Sequence, residues 1–303
     1  MSSEILNTVI VIAGPTAVGK TAFAIELARH FQTAIVSADS RQCFRELSIG
    51  VARPSEAELK MAEHYFIASH SIQEEINAGS FEKYALEKVA AIFSKNPIAI
   101  MVGGTGLYIK AFCEGIDPMP EIPEATRSHI VQTYQEKGLI WLQKELQQKD
   151  PAFWEVAEKQ NPQRLMRALE VLMATGQSIL KYRTAKKTER PFRILKFGLE
   201  LPKEMLHERI HQRVDQMIKD GLEWEVKEML PFKSKNALQT VGYREMFEYL
   251  EANMSREKAI EQIKINTRHY AKRQMTWFKK DGEITWLSPD AKGLASIIQA
   301  IAG

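Results

Sequence analysis

The sequence predicts an α/β protein built on a doubly wound parallel sheet, with an inserted helical domain and a helical C-terminal part. Three apolar runs, at residues 8–13, 34–37 and 97–102, are continuous rather than alternating, as in parallel strands that are covered on both faces. Helical patterns at residues 20–31 and 80–95 fit crossover helices between these strands. Ligands of such sheets bind at the carboxyl ends of the strands.

The loop after the first strand carries the strongest motif. Gly14, Gly19, Lys20 and Thr21 satisfy the G-x-x-x-x-G-K-[ST] pattern of a P-loop, so the predicted fold is P-loop NTPase-like. Its backbone N–H groups would line a cradle for a di- or triphosphate, with Lys20 as a point charge and the Thr21 hydroxyl as a ligand for Mg²⁺. The pattern leaves open which phosphate compound binds. The candidate diphosphate- or nucleotide-binding residues are Gly14, Pro15, Thr16, Ala17, Val18, Gly19, Lys20 and Thr21.

Three prolines within residues 117–123 interrupt the α/β pattern, and no strand-like run follows before residue 192. We therefore predict a helical insertion domain at 118–185, within a core domain formed by 1–117 and 186–303. The predicted helices of the insertion are residues 124–136, 139–148, 151–159 and 162–175. The last of these has a capping Asn161, Pro162 at its first position and Gly176 just past its end.

The C-terminal part is predicted to return to the sheet and then to become helical. Residues 192–201 read as a strand that joins the sheet, and residues 284–287 read as a short final strand. The predicted helices are residues 203–220, 222–230, 243–252 and 255–280, followed by one more at the end of the chain.

Composition favours an ordinary globular protein that acts in the cytoplasm. Hydrophobic residues make up 45% of the chain, and no apolar run approaches the roughly 20 residues of a membrane span. Cys43 and Cys113 form no disulfide framework or zinc cluster, so we expect two reduced thiols. No heptad or repeated apolar face is evident, so we expect a monomer. Residues 118–303 hold 31 Lys and Arg against 25 Asp and Glu, and this basic part hints at a polyanionic partner.

Asp39 is the main candidate for acid–base chemistry. It follows the second predicted strand, so it should face the P-loop across the cleft at the strand ends. A carboxylate in that place could hold Mg²⁺, act as a general base or simply cap the turn. The glycine-rich residues 103–108 follow the third strand and fit either a ligand contact or a structural turn.

Two groups of cations are candidates for binding anions. Arg209 and Arg213 are four residues apart on one predicted helix, so they share a face. A guanidinium there could neutralise a departing diphosphate, or both could be solvated beside Glu208 and Asp215. Lys264, Arg268 and Lys272 form a similar stripe on the long helix 255–280, with Arg273 beside it. Such a stripe suits a nucleic-acid backbone or an ordinary solvated face.

Six segments, in this order, resemble the tRNA dimethylallyltransferase family over almost the whole chain. They are Gly-Pro-Thr-Ala-Val-Gly-Lys-Thr (14–21), Asp-Ser-Arg-Gln (39–42), Gly-Gly-Thr-Gly-Leu-Tyr (103–108), Gln-Arg-Leu-Met-Arg-Ala-Leu-Glu (163–170), Val-Gly-Tyr-Arg-Glu (241–245) and Ala-Lys-Arg-Gln-Met-Thr-Trp-Phe (271–278). The chain departs from the family pattern at Phe44, where Tyr is usual, and at Ser48 and Val51, where Asp and Thr are usual.

The resemblance implies transfer of a dimethylallyl group from dimethylallyl diphosphate to N6 of adenine 37, next to the anticodon of tRNA, with Mg²⁺ on the diphosphate through Thr21. It assigns Asp39 as the general base, with Lys20, Thr21 and Arg213 stabilising the leaving diphosphate. It also implies contacts with the anticodon stem-loop, and those residues are Asp39, Ser40, Arg41, Gln42, Thr105, Arg127, Gln163, Arg164, Leu165, Met166, Arg167, Tyr243, Arg244, Lys272, Arg273 and Gln274.

Three other functions fit parts of the sequence. An adenylate isopentenyltransferase would modify a free nucleotide, but it would have no use for the insertion or the basic C-terminal part. A small-molecule kinase could use the same P-loop, with Arg209 and Arg213 on a lid. An RNA-binding chaperone would use only the basic face.

Overall fold

A computed structural model of the chain describes residues 6–184 and 186–302. These residues form two compact units. One runs up to Gly115 and resumes at Glu189, and the other is Ile116–Thr188. The predicted domain boundaries differ from these by two or three residues, and residue 185, at one predicted boundary, lies outside the described part of the chain.

One parallel sheet forms the centre of the first unit, which confirms the predicted doubly wound α/β fold. In the described residues its strand order is β3-β2-β4-β1-β5-β6. The strands are β1 (Thr8–Ala13), β2 (Ile35–Ser37), β3 (His64–Tyr65), β4 (Ile98–Gly103), β5 (Arg193–Leu199) and β6 (Thr285–Leu287).

Helices account for most of the remaining structure. In chain order they are α1 (Lys20–Phe31), α2 (Glu56–Met61), α3 (Ala78–Phe93), α4 (Gly106–Glu114), α5 (Glu124–Lys149), α6 (Pro151–Val156), α7 (Pro162–Thr175), α8 (Lys203–Lys219), α9 (Leu222–Glu228), α10 (Tyr243–Leu250), α11 (Arg256–Phe278) and α12 (Ala291–Ala302). Within the described part of the chain, no helix has both the length and the apolar character that a membrane span requires.

The central strand β1 explains why the apolar runs are continuous. All six of its residues are buried. Val9 and Val11 belong to the apolar cluster on one face of the sheet, and Ile10 and Ile12 belong to the cluster on the other face. Since both faces are covered, a polar side chain in this strand needs a partner, and Thr8 at its start donates a hydrogen bond to the Leu6 carbonyl at 2.7 Å, while residues 9–13 are all apolar.

The helical unit has its own core, formed by α5, α6 and α7. Leu142, Leu146, Leu165 and Leu169 are fully buried in it. The boundaries of α7 follow the predicted signals, because the Asn161 side chain accepts a hydrogen bond from the N–H of Arg164 at 3.2 Å and the helix ends at a left-handed glycine.

Three short elements were not predicted, whereas the predicted break within α5 is present. The strand β3 has only two residues, too few to produce a periodic pattern. The span of α5 holds two helices that meet at a kink, because Gly138 has non-helical angles (φ 70°, ψ −169°), and this confirms the predicted separation into helices 124–136 and 139–148. Helices α2 and α4 were not predicted, since α2 has six residues and α4 begins within the glycine-rich residues 103–108.

Gly103 supplies a close approach between two strand ends. A methyl group on its Cα would overlap the backbone carbonyl of Ala38, which follows β2. We expect Gly103→Ala to destabilise the protein by about 1–3 kcal/mol, since the neighbour is backbone rather than a movable side chain. Thermal unfolding measures the effect, with Gly282→Ala as the control because nothing lies within 4 Å of a Cβ there. Equal melting temperatures for the two variants would contradict the prediction.

Candidate active site

The carboxyl ends of β1, β2 and β4 open onto a cavity of about 400 Å³, a volume that suits a small-molecule ligand. Its lining comes from the P-loop, the segments after β2 and β4, and helices α8 and α11. The predicted residues that line it are Thr16, Ala17, Gly19, Lys20, Thr21, Asp39, Arg41, Gln42, Arg213 and Gln274. The sheet therefore brings together residues that are far apart in the sequence.

The P-loop has the expected conformation of a strand-to-helix turn. Gly19, just before α1, adopts φ +107°, a left-handed angle that side chains rarely take. Ala17 is also left-handed, at φ 64°. The helix α1 then begins at Lys20, as predicted, so the positive end of its dipole lies next to the loop.

Lys20 and Arg213 concentrate positive charge at this loop. The Lys20 ammonium donates a hydrogen bond to the Pro15 carbonyl at 2.7 Å, and Arg213 donates one to the Thr16 hydroxyl at 3.3 Å. Burial, reinforced by repulsion from Arg213 and partly opposed by Asp39, lowers the pKa of Lys20 to about 7. Burial also lowers the pKa of Arg213. An anion at this place would relieve the repulsion between the two cations.

Arg209 joins the same loop from one turn earlier on α8. The residue as a whole is exposed, and its guanidinium donates a hydrogen bond to the carbonyl of the buried Val18 at 3.0 Å. The structure therefore brings both arginines of the predicted pair to the P-loop.

Asp39 closes a turn with one carboxylate oxygen. Its Oδ1 accepts hydrogen bonds from the backbone N–H of Arg41 at 2.9 Å and of Gln42 at 3.2 Å, which forms an Asx-type turn. Within residues 6–184 and 186–302, no hydrogen bond to Oδ2 is found, and Asp39 lines the cavity. The carboxylate thus caps the turn and still has an oxygen available for a ligand.

Thr105 connects the segments that follow β2 and β4. Its hydroxyl oxygen accepts a hydrogen bond from the N–H of Ser40 at 3.0 Å and lies 3.3 Å from the Ser40 hydroxyl. The Thr105 N–H donates to the carbonyl of Ala38 at 3.2 Å. Thr105 and Ser40 therefore have structural roles in this conformation, beside the RNA contact that the resemblance implies.

Gln274 of α11 is a buried link between two loops. Its Oε1 accepts a hydrogen bond from the N–H of Thr16 at 2.8 Å, and its Nε2 donates one to the carbonyl of Gly104 at 2.9 Å. Only 6% of the residue is exposed. The predicted RNA-binding helix is thereby attached to the P-loop.

The other implied RNA contacts differ in exposure. Arg244, Lys272 and Arg273 are exposed in the first unit, and Gln163 and Arg164 are exposed in the helical unit. Half-buried positions are Arg127, Met166 and Arg167, of which Arg167 forms an ion pair with Glu170 at 3.2 Å.

Two of the implied contacts are fully buried. Tyr243 packs inside the first unit and donates a hydrogen bond to Glu225 at 2.5 Å, and Leu165 lies in the core of the helical unit. In this conformation their side chains do not reach the surface, because each is part of the apolar core of its unit. Their contribution to RNA binding would have to come through the helices that they anchor.

The basic stripe on α11 is partly neutralised. Lys264 forms an ion pair with Asp215 at 2.7 Å, and Arg268 donates a hydrogen bond to His211 at 2.7 Å. The exposed cations Lys272 and Arg273 remain at its C-terminal end. The solvated-face interpretation thus fits one part of the stripe and the polyanion interpretation fits the other.

Glu225, a buried carboxylate on α9 that accepts hydrogen bonds from the N–H groups of residues 48–50, was not predicted from the sequence. A signal was present, because Glu225 lies on the same face of the helix as the buried Leu222 and Val226. A charged residue on an apolar face usually has several hydrogen-bond partners.

The donors near the P-loop fit a magnesium ion that is held mainly by a phosphate ligand. Thr21 offers a hydroxyl and Asp39 a carboxylate oxygen, and Mg²⁺ commonly takes one or two protein ligands besides phosphate and water. Within the described part of the chain, no group of three or more His, Cys, Asp and Glu side chains forms a closed metal site.

Comparisons with known proteins agree on one family. Residues 42–281 match the family model described as IPP transferase. The chain is 47% identical to a tRNA dimethylallyltransferase of Christiangramia forsetii over 94% of each chain. It is 44% identical to a tRNA dimethylallyltransferase of Cytophaga hutchinsonii, over 95% of this chain and 94% of that protein.

A solved structure shows the same similarity. The tRNA isopentenylpyrophosphate transferase of Bacillus halodurans superimposes with a TM-score of 0.72 and 31% identity, covering 98% of this chain and 96% of that one. The family-model match begins at residue 42, so it does not include the P-loop or Asp39.

We expect Gln274→Ala to weaken the binding of inorganic diphosphate with Mg²⁺. The substitution leaves the Thr16 N–H and the Gly104 carbonyl without their partner, and a loss of about 1–2 kcal/mol corresponds to roughly 5- to 30-fold in affinity. Isothermal titration calorimetry measures the affinity, with Thr276→Ala as the control because that residue is exposed on the same helix. Unchanged affinity in Gln274→Ala would show that the link does not order the loop.

Proposed function

The chain belongs to the IPP transferase family, and on that premise we propose that it transfers a dimethylallyl group from dimethylallyl diphosphate to an adenine of tRNA. One observation supports this reaction beyond the family membership. The P-loop cations and Asp39, which has an available oxygen, line the same cavity. One cavity could therefore both stabilise a leaving anion and accept a proton from the attacking group.

The P-loop side of the cavity would stabilise the leaving group. As the bond between carbon 1 of the donor and its oxygen breaks, the electron pair goes to the diphosphate. Lys20 and Arg213 are held at the P-loop by hydrogen bonds, so they would be in place before that charge grows, and such preorganised charges give strong electrostatic stabilisation. Thr21 and the diphosphate would hold Mg²⁺, and the ion would help to stabilise the negative charge of the leaving group.

Asp39 would accept the proton. The exocyclic amine of adenine attacks carbon 1 with its nitrogen lone pair and then carries an extra proton, which the carboxylate removes. The turn bonds to Oδ1 hold the side chain in place, and Oδ2 is the oxygen that would receive the proton. This amine is barely basic, so a positioned acceptor matters.

The adenine must leave its stack to reach the cavity. We propose that it turns out of the anticodon loop, at a cost of a few kcal/mol, and enters the strand-end cavity. Phosphate contacts would offset that cost. The exposed Arg244, Lys272 and Arg273 supply cations in the first unit, and Gln163 and Arg164 supply polar groups in the helical unit. We also propose that the enzyme is a cytoplasmic monomer.

The decisive experiment offers the protein two labelled donors. Incubation of tRNA with labelled dimethylallyl diphosphate should add one five-carbon unit to an adenosine of the anticodon arm, visible as a mass shift of a nuclease fragment. Labelled ATP offered with small-molecule acceptors should give no phosphorylated product. The reverse result would identify a kinase, and prenylation of free AMP but not of tRNA would identify an adenylate isopentenyltransferase.

We expect Asp39→Asn to keep tRNA affinity within several-fold while transfer falls by about a hundredfold or more. Asparagine retains an oxygen for the two turn hydrogen bonds but cannot accept the proton. Single-turnover kinetics and a binding assay measure the two quantities separately. Asp220→Asn, an exposed carboxylate at the end of α8, is the control. Loss of tRNA binding in Asp39→Asn would instead make Asp39 a structural or RNA-contact residue.

Affinity for tRNA should fall steeply with salt, with a log–log slope near −0.7 for each phosphate contacted. If Lys272 and Arg273 each contact a phosphate, replacing both with alanine should reduce the slope by about 1.4. Lys88→Ala is the control, because that ammonium already pairs with Glu87 at 2.8 Å. A flat salt profile in the original protein would exclude this basic surface as the docking site.

A further inference from the structure

A single buried carboxylate holds one wall of the cavity. Glu225 of α9 is 7% exposed, and its Oε2 accepts hydrogen bonds from the N–H groups of Ser48 at 3.0 Å and Ile49 at 2.8 Å. Its Oε1 accepts from the N–H of Gly50 at 2.9 Å and from the Tyr243 hydroxyl at 2.5 Å. Three consecutive backbone N–H groups and one side chain therefore share one carboxylate, and hydrogen bonds to a charged acceptor are the strong kind.

The packing of α9 and α10 against this segment leaves no room for a side chain at Gly50. A Cβ on that residue would lie 2.5 Å from the Tyr243 ring and 3.0 Å from Leu222. Tyr243 itself is fully buried. The segment after β2 thus packs tightly against α9 and α10. Because this segment lies outside the sheet, its position depends on the side chains of Leu222, Glu225 and Tyr243.

The held segment continues directly into the cavity wall. Gly50, Val51, Ala52 and Arg53 all line the cavity. Ala52 adopts a left-handed φ of 48°, a conformation that costs free energy for a residue with a side chain and persists only where neighbouring contacts impose it. Its N–H donates to the Ile49 carbonyl at 3.0 Å, which closes a turn immediately after the residues that Glu225 holds.

The same wall connects to Asp39. The Gln42 side chain donates hydrogen bonds to the carbonyls of Ala52 at 2.9 Å and Val51 at 3.3 Å. The Gln42 backbone N–H is one of the two that fix Oδ1 of Asp39. A continuous series of hydrogen bonds therefore runs from Glu225 through the segment 48–52 and Gln42 to the carboxylate that faces the cavity.

We propose that Glu225 is a positioning residue that sets the wall 48–53 against Asp39 and so places the substrates for transfer. This role rests on the proposed function, since it assigns Glu225 to the same cavity. Glu225 touches backbone N–H groups and Tyr243, and its effect on the reaction is transmitted through the wall.

The departures from the family pattern fit this role. Ser48 contributes its backbone N–H to Glu225, so the usual Asp at this position is not needed for that contact. At Val51 the hydrogen bond from Gln42 also goes to the backbone carbonyl, which any side chain leaves intact.

The test uses Glu225→Gln, which keeps the shape of the side chain. A glutamine retains one acceptor oxygen, so its NH₂ group must face at least one backbone N–H that previously had an acceptor. We expect the amides of residues 48–50 to exchange hydrogen about tenfold faster or more, and kcat for tRNA prenylation to fall about tenfold or more, while KM for tRNA changes less than threefold.

The matched control is Glu223→Gln on the same helix. Glu223 holds Arg256 at 2.8 Å and Tyr249 at 3.1 Å, so it is also a structural carboxylate, but none of these three residues lines the cavity. The Glu223→Gln variant should leave kcat and the amide hydrogen exchange of residues 48–50 near their original values. An equal loss of kcat in both variants, or normal exchange at residues 48–50 in Glu225→Gln, would overturn the proposal.

A milder variant keeps the test decisive if Glu225→Gln does not fold. Tyr243→Phe removes only the hydroxyl bond to Oε1 and leaves the three N–H contacts. It should accelerate exchange at residues 48–50 and lower kcat in the same direction by a few-fold, and no change in either would refute the role. The exchange measurement needs no substrate, so the two proposals can fail separately. If the original protein does not prenylate tRNA, but the variants show the expected exchange at residues 48–50, the proposed function is disproved and the role of Glu225 in positioning the wall is not.

Discussion

The parallel pairing of β1 with β4 is the constraint on which the site depends. Its register aligns Ala13 with Gly103, so the P-loop and the glycine-rich segment leave the sheet side by side. On the other edge of β4, Ser37 pairs with Val102, which brings the residues before Asp39 to the same level. Three loops that are distant in the sequence therefore begin at one edge because the strands that carry them end in register.

Side chains from the C-terminal helices then fix what the sheet has brought together. Gln274 joins the P-loop to the segment after β4, and Glu225 holds the segment after β2. Each is buried, and each uses both of its polar atoms. A buried polar group without a partner is costly, so such links favour one arrangement of the loops over slightly different ones. The helical C-terminal part thus does more than cover the sheet, since it determines the shape of the cavity.

The sequence predicted the parts of this structure that follow from local patterns. The P-loop, the start of α1 at Lys20 and the strands β1 and β4 are encoded by a motif and by continuous apolar runs. The helical pattern around Glu225 indicates burial, but it cannot identify the partners, because the backbone N–H groups of Ile49 and Gly50 lie about 175 residues earlier in the chain and only the fold brings them to Glu225. The burial of Tyr243 was not predicted either, because a tyrosine in a motif indicates neither burial nor exposure by itself.

Among the described residues, the three cations at the P-loop are held in place by hydrogen bonds to neutral oxygens and not by ion pairs with carboxylates. Lys20 donates to the carbonyl of Pro15, Arg213 to the hydroxyl of Thr16 and Arg209 to the carbonyl of Val18, so the P-loop's own oxygens fix all three. The lowered pKa of Lys20 results first from burial of the ammonium and then from repulsion by Arg213. An arriving diphosphate would meet cations that are already oriented, and it would remove their mutual repulsion. Little reorganisation would then be needed as the leaving group gains charge, which is the condition under which electrostatic stabilisation lowers a barrier most.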